Sequence, residues 1–116
     1  MLEAIFGNKT AEKVLLHIYH YGEIHARAIA EDYGAAVNPI RNQIEKFENA
    51  GLLVGKTVGR TRLYSFNLKS ALVKPIYELL KIAYESIPIE EREIIFMARR
   101  RPRKIGKPVI NGIQKL

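Results

Sequence analysis

The sequence contains no cysteine, which excludes disulfides, thiolate metal sites and cysteine nucleophiles. No stretch approaches the roughly 18 consecutive apolar residues that a membrane helix requires. Residues 1–8 also lack the charged start and apolar run of a signal peptide. These absences favour a soluble, cytoplasmic protein with no membrane association.

The sequence also lacks the short motifs that mark common catalytic sites. It has no Gly-rich phosphate loop, no Gly-x-Ser-x-Gly turn, no His-Glu-x-x-His motif and no spaced pair of carboxylates beside a recognisable pocket. We therefore expect a protein that is not an enzyme and that holds no cofactor or metal. His17 and His20 share one side of a predicted helix, but no third ligand lies near them in the sequence, and His25 is expected to be a cap or surface residue.

Positive charge is concentrated in two separate parts of the chain, whose total net charge is +7. Residues 34–74 carry seven basic and two acidic side chains, and residues 99–116 carry seven basic and none acidic. The other two segments are slightly acidic, with three basic against five acidic side chains in 1–33 and two against five in 75–98. Such segregation favours a polyanionic partner.

The hydrophobic pattern predicts a helical core in a chain whose 116 residues suffice for one modest core. Apolar residues recur at helical spacing over 11–21, 26–33 and 39–49. Thr10 is the predicted N-cap of the first helix. Asn38 is the predicted N-cap of the third, with Pro39 as its first helical residue. The predicted helix-ending glycines are Gly22, Gly34 and Gly51.

A β-hairpin follows the third helix. Residues 52–58 read as an extended segment, Gly59-Arg60 as a turn and residues 62–66 as the returning strand. We call residues 55–66 the wing. A fourth helix is expected to begin at Pro75 and to end before Pro88, and residues 90–97 favour helix over an extended segment. Residues 99–116, the basic tail, contain two prolines and two glycines and predict irregular structure.

The order of these elements resembles the winged helix-turn-helix regulators of the ArsR-like and MarR-like superfamily. The resemblance lies in Asn38-Pro39-Ile40-Arg41-Asn42-Gln43-Ile44-Glu45-Lys46-Phe47-Glu48-Asn49-Ala50-Gly51-Leu52-Leu53 and in Gly59-Arg60-Thr61-Arg62-Leu63-Tyr64-Ser65, and extends over about 2–87. It implies a mainly α fold with a small β-hairpin: a three-helix core, a two-stranded wing, one or two C-terminal helices and the basic tail. One departure from the oldest helix-turn-helix pattern is Gln43, where that pattern prefers an aliphatic residue and the neighbouring Ile44 takes the buried role instead.

The resemblance implies a homodimer that binds double-stranded DNA at an inverted repeat, with the helix 39–49 in the major groove. The side chains that would reach base edges are Asn38, Pro39, Arg41, Asn42 and Gln43, with Lys46 further along the helix. The wing residues that would contact backbone or minor groove are Lys56, Arg60, Thr61 and Arg62. The alternatives are an ordinary solvated helix face and a charged hairpin edge that discourages strand pairing.

The two remaining sets of candidate residues lie towards the C-terminus. The basic tail offers Arg99, Arg100, Arg101, Arg103 and Lys104, either as an arm in the minor groove or as a generic polybasic segment. The fourth helix carries an apolar stripe that we assign to dimerisation, formed by Ile76, Leu79, Leu80, Ala83 and Ile87. The alternative is that the stripe packs on the first helix of the same chain.

We therefore predict three parts: a winged helix-turn-helix DNA-binding domain over 1–67, a helical dimerisation extension over 68–98, and the basic tail. The predicted function is sequence-specific regulation of transcription, with the effector, if one exists, left open. Two alternatives remain at this point: a winged-helix module that binds another protein, and a nonspecific nucleic-acid binder driven by the tail.

Overall fold

A computed structural model of the chain describes residues 2–97. The tail residues that the sequence predicts to contact DNA lie outside the described residues: Arg99, Arg100, Arg101, Arg103 and Lys104. The elements, in chain order, are α1 (Glu3–Phe6), α2 (Lys9–Tyr21), α3 (Ala26–Tyr33), α4 (Val37–Asn49), β1 (Leu53–Val58), β2 (Thr61–Phe66), α5 (Val73–Glu85) and α6 (Ile89–Ile95). The two strands form one antiparallel hairpin. This architecture, mainly helical with a small hairpin, confirms the predicted fold class.

Helix α2 is the centre of the core. Its residues Val14, Leu15 and Ile18 are completely buried, and α4 and α5 both pack against it. The helix begins earlier than predicted, because Asn8 and not Thr10 is the N-cap. The Asn8 side-chain oxygen accepts a 2.7 Å hydrogen bond from the backbone N–H of Ala11, which satisfies one of the unpaired amides of the first turn.

Helices α3 and α4 form the predicted helix-turn-helix. Gly34 ends α3 with φ of +60°, a left-handed conformation that costs glycine little and other residues more. The expected start of α4 was wrong, since the N-cap is Ala36 and the helix already includes Asn38 and Pro39. Proline fits at the third helical position because amides of the first turn have no acceptor within the helix.

The hairpin joins the rest of the molecule at its base. Leu53 pairs with Phe66, and both side chains are buried, whereas the turn at Gly59 and Arg60 is exposed. Gly59 has φ of +64°, as a tight turn between strands requires. Ile24, in the link between α2 and α3, exchanges two backbone hydrogen bonds with Tyr64, of 3.1 and 2.9 Å. Ile24 therefore forms an isolated antiparallel bridge with the second strand of the hairpin, which the sequence did not predict.

Helix α5 begins at Val73, two residues before the predicted Pro75, and ends before Pro88 as expected. Its apolar stripe faces α2 of the same chain. Leu80 is 0% and Ala83 3% exposed, while Ile76, Leu79 and Ile87 are half-buried against the same core. The stripe thus packs on a helix of its own chain, which was the alternative to dimerisation. Leu80 and Ala83 are therefore not accessible to a second copy.

Residues of the predicted DNA-binding segment and of the predicted extension share one core. Val73 and Leu80 of α5 belong to the same buried cluster as Leu15 of α2. The helix predicted for 90–97 is present as α6, although it ends at Ile95. Within residues 2–97, no helix combines the length and the apolar character needed to cross a membrane.

Candidate nucleic-acid interface

Helix α4 presents a polar face to solvent. Ile40, Ile44 and Phe47 turn towards the core and are buried, at the spacing expected for one side of a helix. The opposite side carries five of the six side chains that the sequence assigned to DNA, and all five are exposed: Asn38, Pro39, Arg41, Asn42 and Lys46. The pattern therefore identified the exposed face of α4 correctly.

Gln43 is the exception on α4. It is half-buried, and its side-chain oxygen accepts a 3.3 Å hydrogen bond from the amide of Asn8, the residue that also caps α2. The two residues are 35 positions apart, so no local pattern could have paired them. Gln43 in the free protein thus connects α4 to the start of α2.

Helix α3 packs against α4 and leaves the polar face of α4 uncovered. Ala28, Ile29 and Ala30 are buried, and α3 packs against α4. Two of these three side chains are single methyl groups, which allow the helices to approach closely. The arrangement leaves the polar face of α4 protruding beside the hairpin.

A cationic cleft lies where α3, α4 and the wing meet. Its volume is about 330 Å³, and its lining residues are His25, Ala26, Arg27, Arg41, Arg60, Thr61, Arg62 and Tyr64. The cleft brings Arg41 of α4 together with three predicted wing residues, Arg60, Thr61 and Arg62. None of these lining residues, all within the described part of the chain, carries a carboxylate.

Sequence reasoning missed two residues of the cleft, His25 and Arg27. His25 is the N-cap of α3, where its Nδ1 accepts a 3.1 Å hydrogen bond from the backbone N–H of Ala28. Arg27, the second residue of α3, is exposed at the cleft. Its charge was inconspicuous because it lies in the acidic segment 1–33. The available signal was its place at the start of the helix that precedes α4.

Arg62 connects the wing to α4. Its Nη2 lies 3.3 Å from a carboxylate oxygen of Glu48, and its guanidinium stands 5.7 Å from the centre of the Tyr64 ring. The guanidinium also lies over Gly55 on the opposite strand, where an added Cβ would come within 2.8 Å of it. Glycine at position 55 therefore leaves the space that Arg62 needs to reach Glu48.

Lys56 makes a second link between the wing and the body of the molecule. Its ammonium lies 3.3 Å from a carboxylate oxygen of Glu23, in the segment between α2 and α3. The Lys56 side chain is largely exposed, so the pair contributes little to stability on its own. Two of the three predicted wing cations, Lys56 and Arg62, thus have carboxylate partners in the free protein.

The histidines of α2 hold different partners. His17 is completely buried, with Nε2 2.8 Å from Asp32, whereas His20 Nδ1 lies 2.7 Å from the Tyr84 hydroxyl. Across residues 2–97, no group of three or more potential metal-ligating side chains is found. His17 and His20 contribute to packing between α2, α3 and α5.

No protein-family model matches the sequence, and no curated protein matches it significantly. Among solved structures, the chain is similar to a mutant of Lactococcus lactis ZitR in its apo form, with a TM-score of 0.53 and 11% sequence identity. The match covers 92% of this chain and 81% of the ZitR chain. At that identity the likeness concerns the fold alone, which is mainly helical with a two-stranded antiparallel hairpin and is consistent with a winged helix.

Proposed function

We propose that this protein is a sequence-specific regulator of transcription that binds double-stranded DNA. The observation that carries the proposal is the position of the exposed polar face of α4 beside the cationic cleft and the wing. The major groove of B-DNA admits one α-helix, and a hairpin beside that helix reaches the neighbouring backbone or minor groove. Core packing between α4 and the hairpin keeps them in that relation, and the Glu48–Arg62 pair adds one weak contact between them.

Two side chains of α4 are suited to read base edges. Arg41 can donate two hydrogen bonds to guanine, and Asn42 can present a donor and an acceptor together to adenine. Gln43 has a partner in Asn8, so we assign it a supporting role. Lys46 and Arg60 would contact phosphates, which adds affinity with little sequence information.

The homodimer implied by the family resemblance is part of the proposal. Leu80 and Ala83 are buried within one chain, so a second copy would meet other side chains of the same region. The large exposed apolar residues of α5, α6 and their ends are Leu72, Ile82, Ile89, Ile94 and Met97. Two copies related by a dyad would bind half-sites about 34 Å apart.

Selection of bound sequences from random duplex DNA, followed by affinity measurements on the selected site, tests the proposal. We expect an inverted repeat. Arg41→Ala should weaken binding by ~1 to 3 kcal/mol and relax the preference at one base position, because a guanine contact is lost. Arg60→Ala should weaken binding to all sequences similarly and reduce the slope of log affinity against log salt by about 1 for each protomer bound.

Lys81→Ala is the control, since it removes an exposed cation from α5, away from the cleft. An Arg41→Ala protein with unchanged affinity and preference would show that α4 does not read bases. Absence of duplex binding even at low salt would support the protein-interaction alternative. Loss of all binding on deletion of residues 99–116 would support a nonspecific, tail-driven binder.

A further inference from the structure

We propose that the cationic cleft binds one phosphate group of the DNA backbone and that Arg27 is a main contributor to this contact. The proposal rests on the proposed function and adds a specific binding site to it. Four arginines from three elements line the cleft: Arg27 from α3, Arg41 from α4, and Arg60 and Arg62 from the wing. Like charges gathered in one cavity repel one another, and a bound anion removes that repulsion.

The lining side chains indicate which anion fits. Guanidinium groups bind phosphate through paired, parallel hydrogen bonds, and a hydroxyl such as that of Thr61 can donate one more. The cleft also lies at the start of α3, where the helix dipole adds positive potential. A cavity of about 330 Å³ holds a phosphate together with part of its attached sugars.

The position of the cleft indicates where the phosphate comes from. If α4 lies in the major groove and the wing at the adjacent minor groove, the strand that separates these grooves must pass between the two elements. The cleft is the space between them. A phosphate of that strand therefore lies within reach of Arg27 and Arg60 from opposite sides.

Arg27 differs from Arg62 and Arg41 in the role that we expect for it on DNA. Arg62 is paired with Glu48, and Arg41 stands on the face assigned to bases. Arg27 stands on α3, which does not enter a groove in this arrangement. Its contribution should therefore be to affinity and should leave the preference among sequences unchanged.

The test compares wild type, Arg27→Gln and the control Lys81→Gln on the selected duplex and on an unrelated duplex. For each protomer bound, we expect Arg27→Gln to reduce the affinity for both duplexes by about tenfold and the salt slope by about 0.9, with no change in the ratio of the two affinities. Lys81→Gln should change neither. Because Arg27 is exposed, the variant should unfold at the same temperature as wild type.

A second arm locates the phosphate. Each phosphate of the selected duplex is replaced in turn by a neutral methylphosphonate. We expect one sensitive phosphate in each half-site, between the base contacts and the wing contact. Its replacement should weaken DNA binding by wild type but should not weaken binding by Arg27→Gln any further. A titration with inorganic phosphate, followed by the arginine Nε–H signals in NMR, tests whether the cleft also binds the free ion.

The outcomes separate this proposal from the one on which it rests. Wild-type binding with an unaltered Arg27→Gln protein overturns the phosphate cleft and leaves the regulator proposal standing. Failure of wild type to bind any duplex overturns both. Saturation of the arginine signals by inorganic phosphate, without any methylphosphonate position that depends on Arg27, would assign the cleft to a free phosphate compound and overturn the backbone contact.

Discussion

Among the arginines of the cleft, Arg62 is the one whose guanidinium has an anionic partner within residues 2–97. The Glu48 carboxylate lies 3.3 Å away, and both side chains are partly exposed. An ion pair in such a position contributes on the order of 0–1 kcal/mol to folding. On the proposed function its larger effect would be on DNA binding, since Glu48 and a DNA phosphate would compete for the same guanidinium.

Replacing Glu48 should therefore strengthen DNA binding. Glu48→Gln frees Arg62 for a phosphate, and we expect the affinity for any duplex to rise several-fold and the salt slope to steepen by about 0.9 for each protomer bound. The measurement is a salt series of binding isotherms. Glu45→Gln removes the same charge from an exposed position of the same helix and is the matched control.

A double-mutant cycle isolates the pair. In an Arg62→Ala background, Glu48→Gln should raise the affinity no more than Glu45→Gln does. An equal gain from Glu48→Gln with and without Arg62 would mean that the carboxylate acts only through general repulsion of DNA.

At the residue scale, the sequence predicted which residues share one face of a helix. It did not predict which residues of different elements contact each other. The exposed positions of Arg41 and Lys46 follow from helical periodicity alone. The Arg62–Glu48 pair and the Gln43–Asn8 hydrogen bond join residues 14 and 35 positions apart. Arg27 lines the cleft only because α3 and the wing lie close together in the fold. A pattern along the sequence does not show that proximity.

Among the elements, α6 is joined to the core chiefly by the buried aromatic residue that follows it, with the half-buried Ile95 packed beside it. None of its own residues is buried, whereas Phe96, directly after it, is only 7% exposed. The Phe96 ring stacks on His20 at 4.4 Å between centroids and lies 4.9 Å from the ring of His17. Arg92 adds a 3.1 Å hydrogen bond from Nε to the carbonyl of Ile87.

Phe96→Ala should therefore release α6 more than it disturbs the rest of the fold. Full truncation of a buried phenylalanine costs about 3–5 kcal/mol, and here much of that loss should appear as local opening. We expect the amides of α6 to exchange with solvent about tenfold faster or more. Those of α2 and α4 should change less, as measured by native-state hydrogen exchange.

Ile94→Ala is the control, because that side chain is 71% exposed and its truncation should leave the protection of α6 nearly unchanged. A uniform acceleration across all helices of the Phe96→Ala protein would instead identify Phe96 as part of the cooperative core.

Element types were predictable, and element boundaries less so. The expected starts of α4 and α5, at Pro39 and Pro75, were each two residues late, since both prolines occupy the third helical position. Proline is tolerated throughout the first turn, so it does not fix the first residue. The four residues of α1 are too few to show a period, and the Ile24–Tyr64 pairing depends on tertiary contact.

For the molecule as a whole, two tyrosines at the edge of the core couple stability to alkaline pH. Burial raises the pKa of Tyr33, and the carboxylates of Glu12 and Asp32 raise it further. Burial likewise raises the pKa of Tyr19, with a further contribution from Tyr77. In both cases the fold favours the neutral hydroxyl over the phenolate.

The free energy of unfolding should therefore decrease as the pH rises above about 10, where tyrosines of the unfolded chain lose their protons. Because the pKa of these tyrosines is raised in the folded state, their stabilisation of the fold is complete below that pH. It is lost as the pH rises from there to the folded-state pKa. Denaturant titrations at pH 9 and pH 11 measure the difference.

Tyr33→Phe should reduce that difference while keeping the ring over which the Lys13 ammonium stands, 4.6 Å from its centre. An identical pH dependence in the Tyr33→Phe protein would exclude this hydroxyl as a contributor.

The backbone pairing of Ile24 with Tyr64 has a consequence for the kind of DNA the protein would prefer. It fixes the wing to the residue immediately before the N-cap of α3, so the two walls of the cleft belong to one rigid frame. On the proposed function, a gap of fixed width favours duplexes whose groove dimensions already match it and disfavours those that must be deformed. Base pairs that the protein never touches would then influence affinity through the shape and stiffness of the double helix.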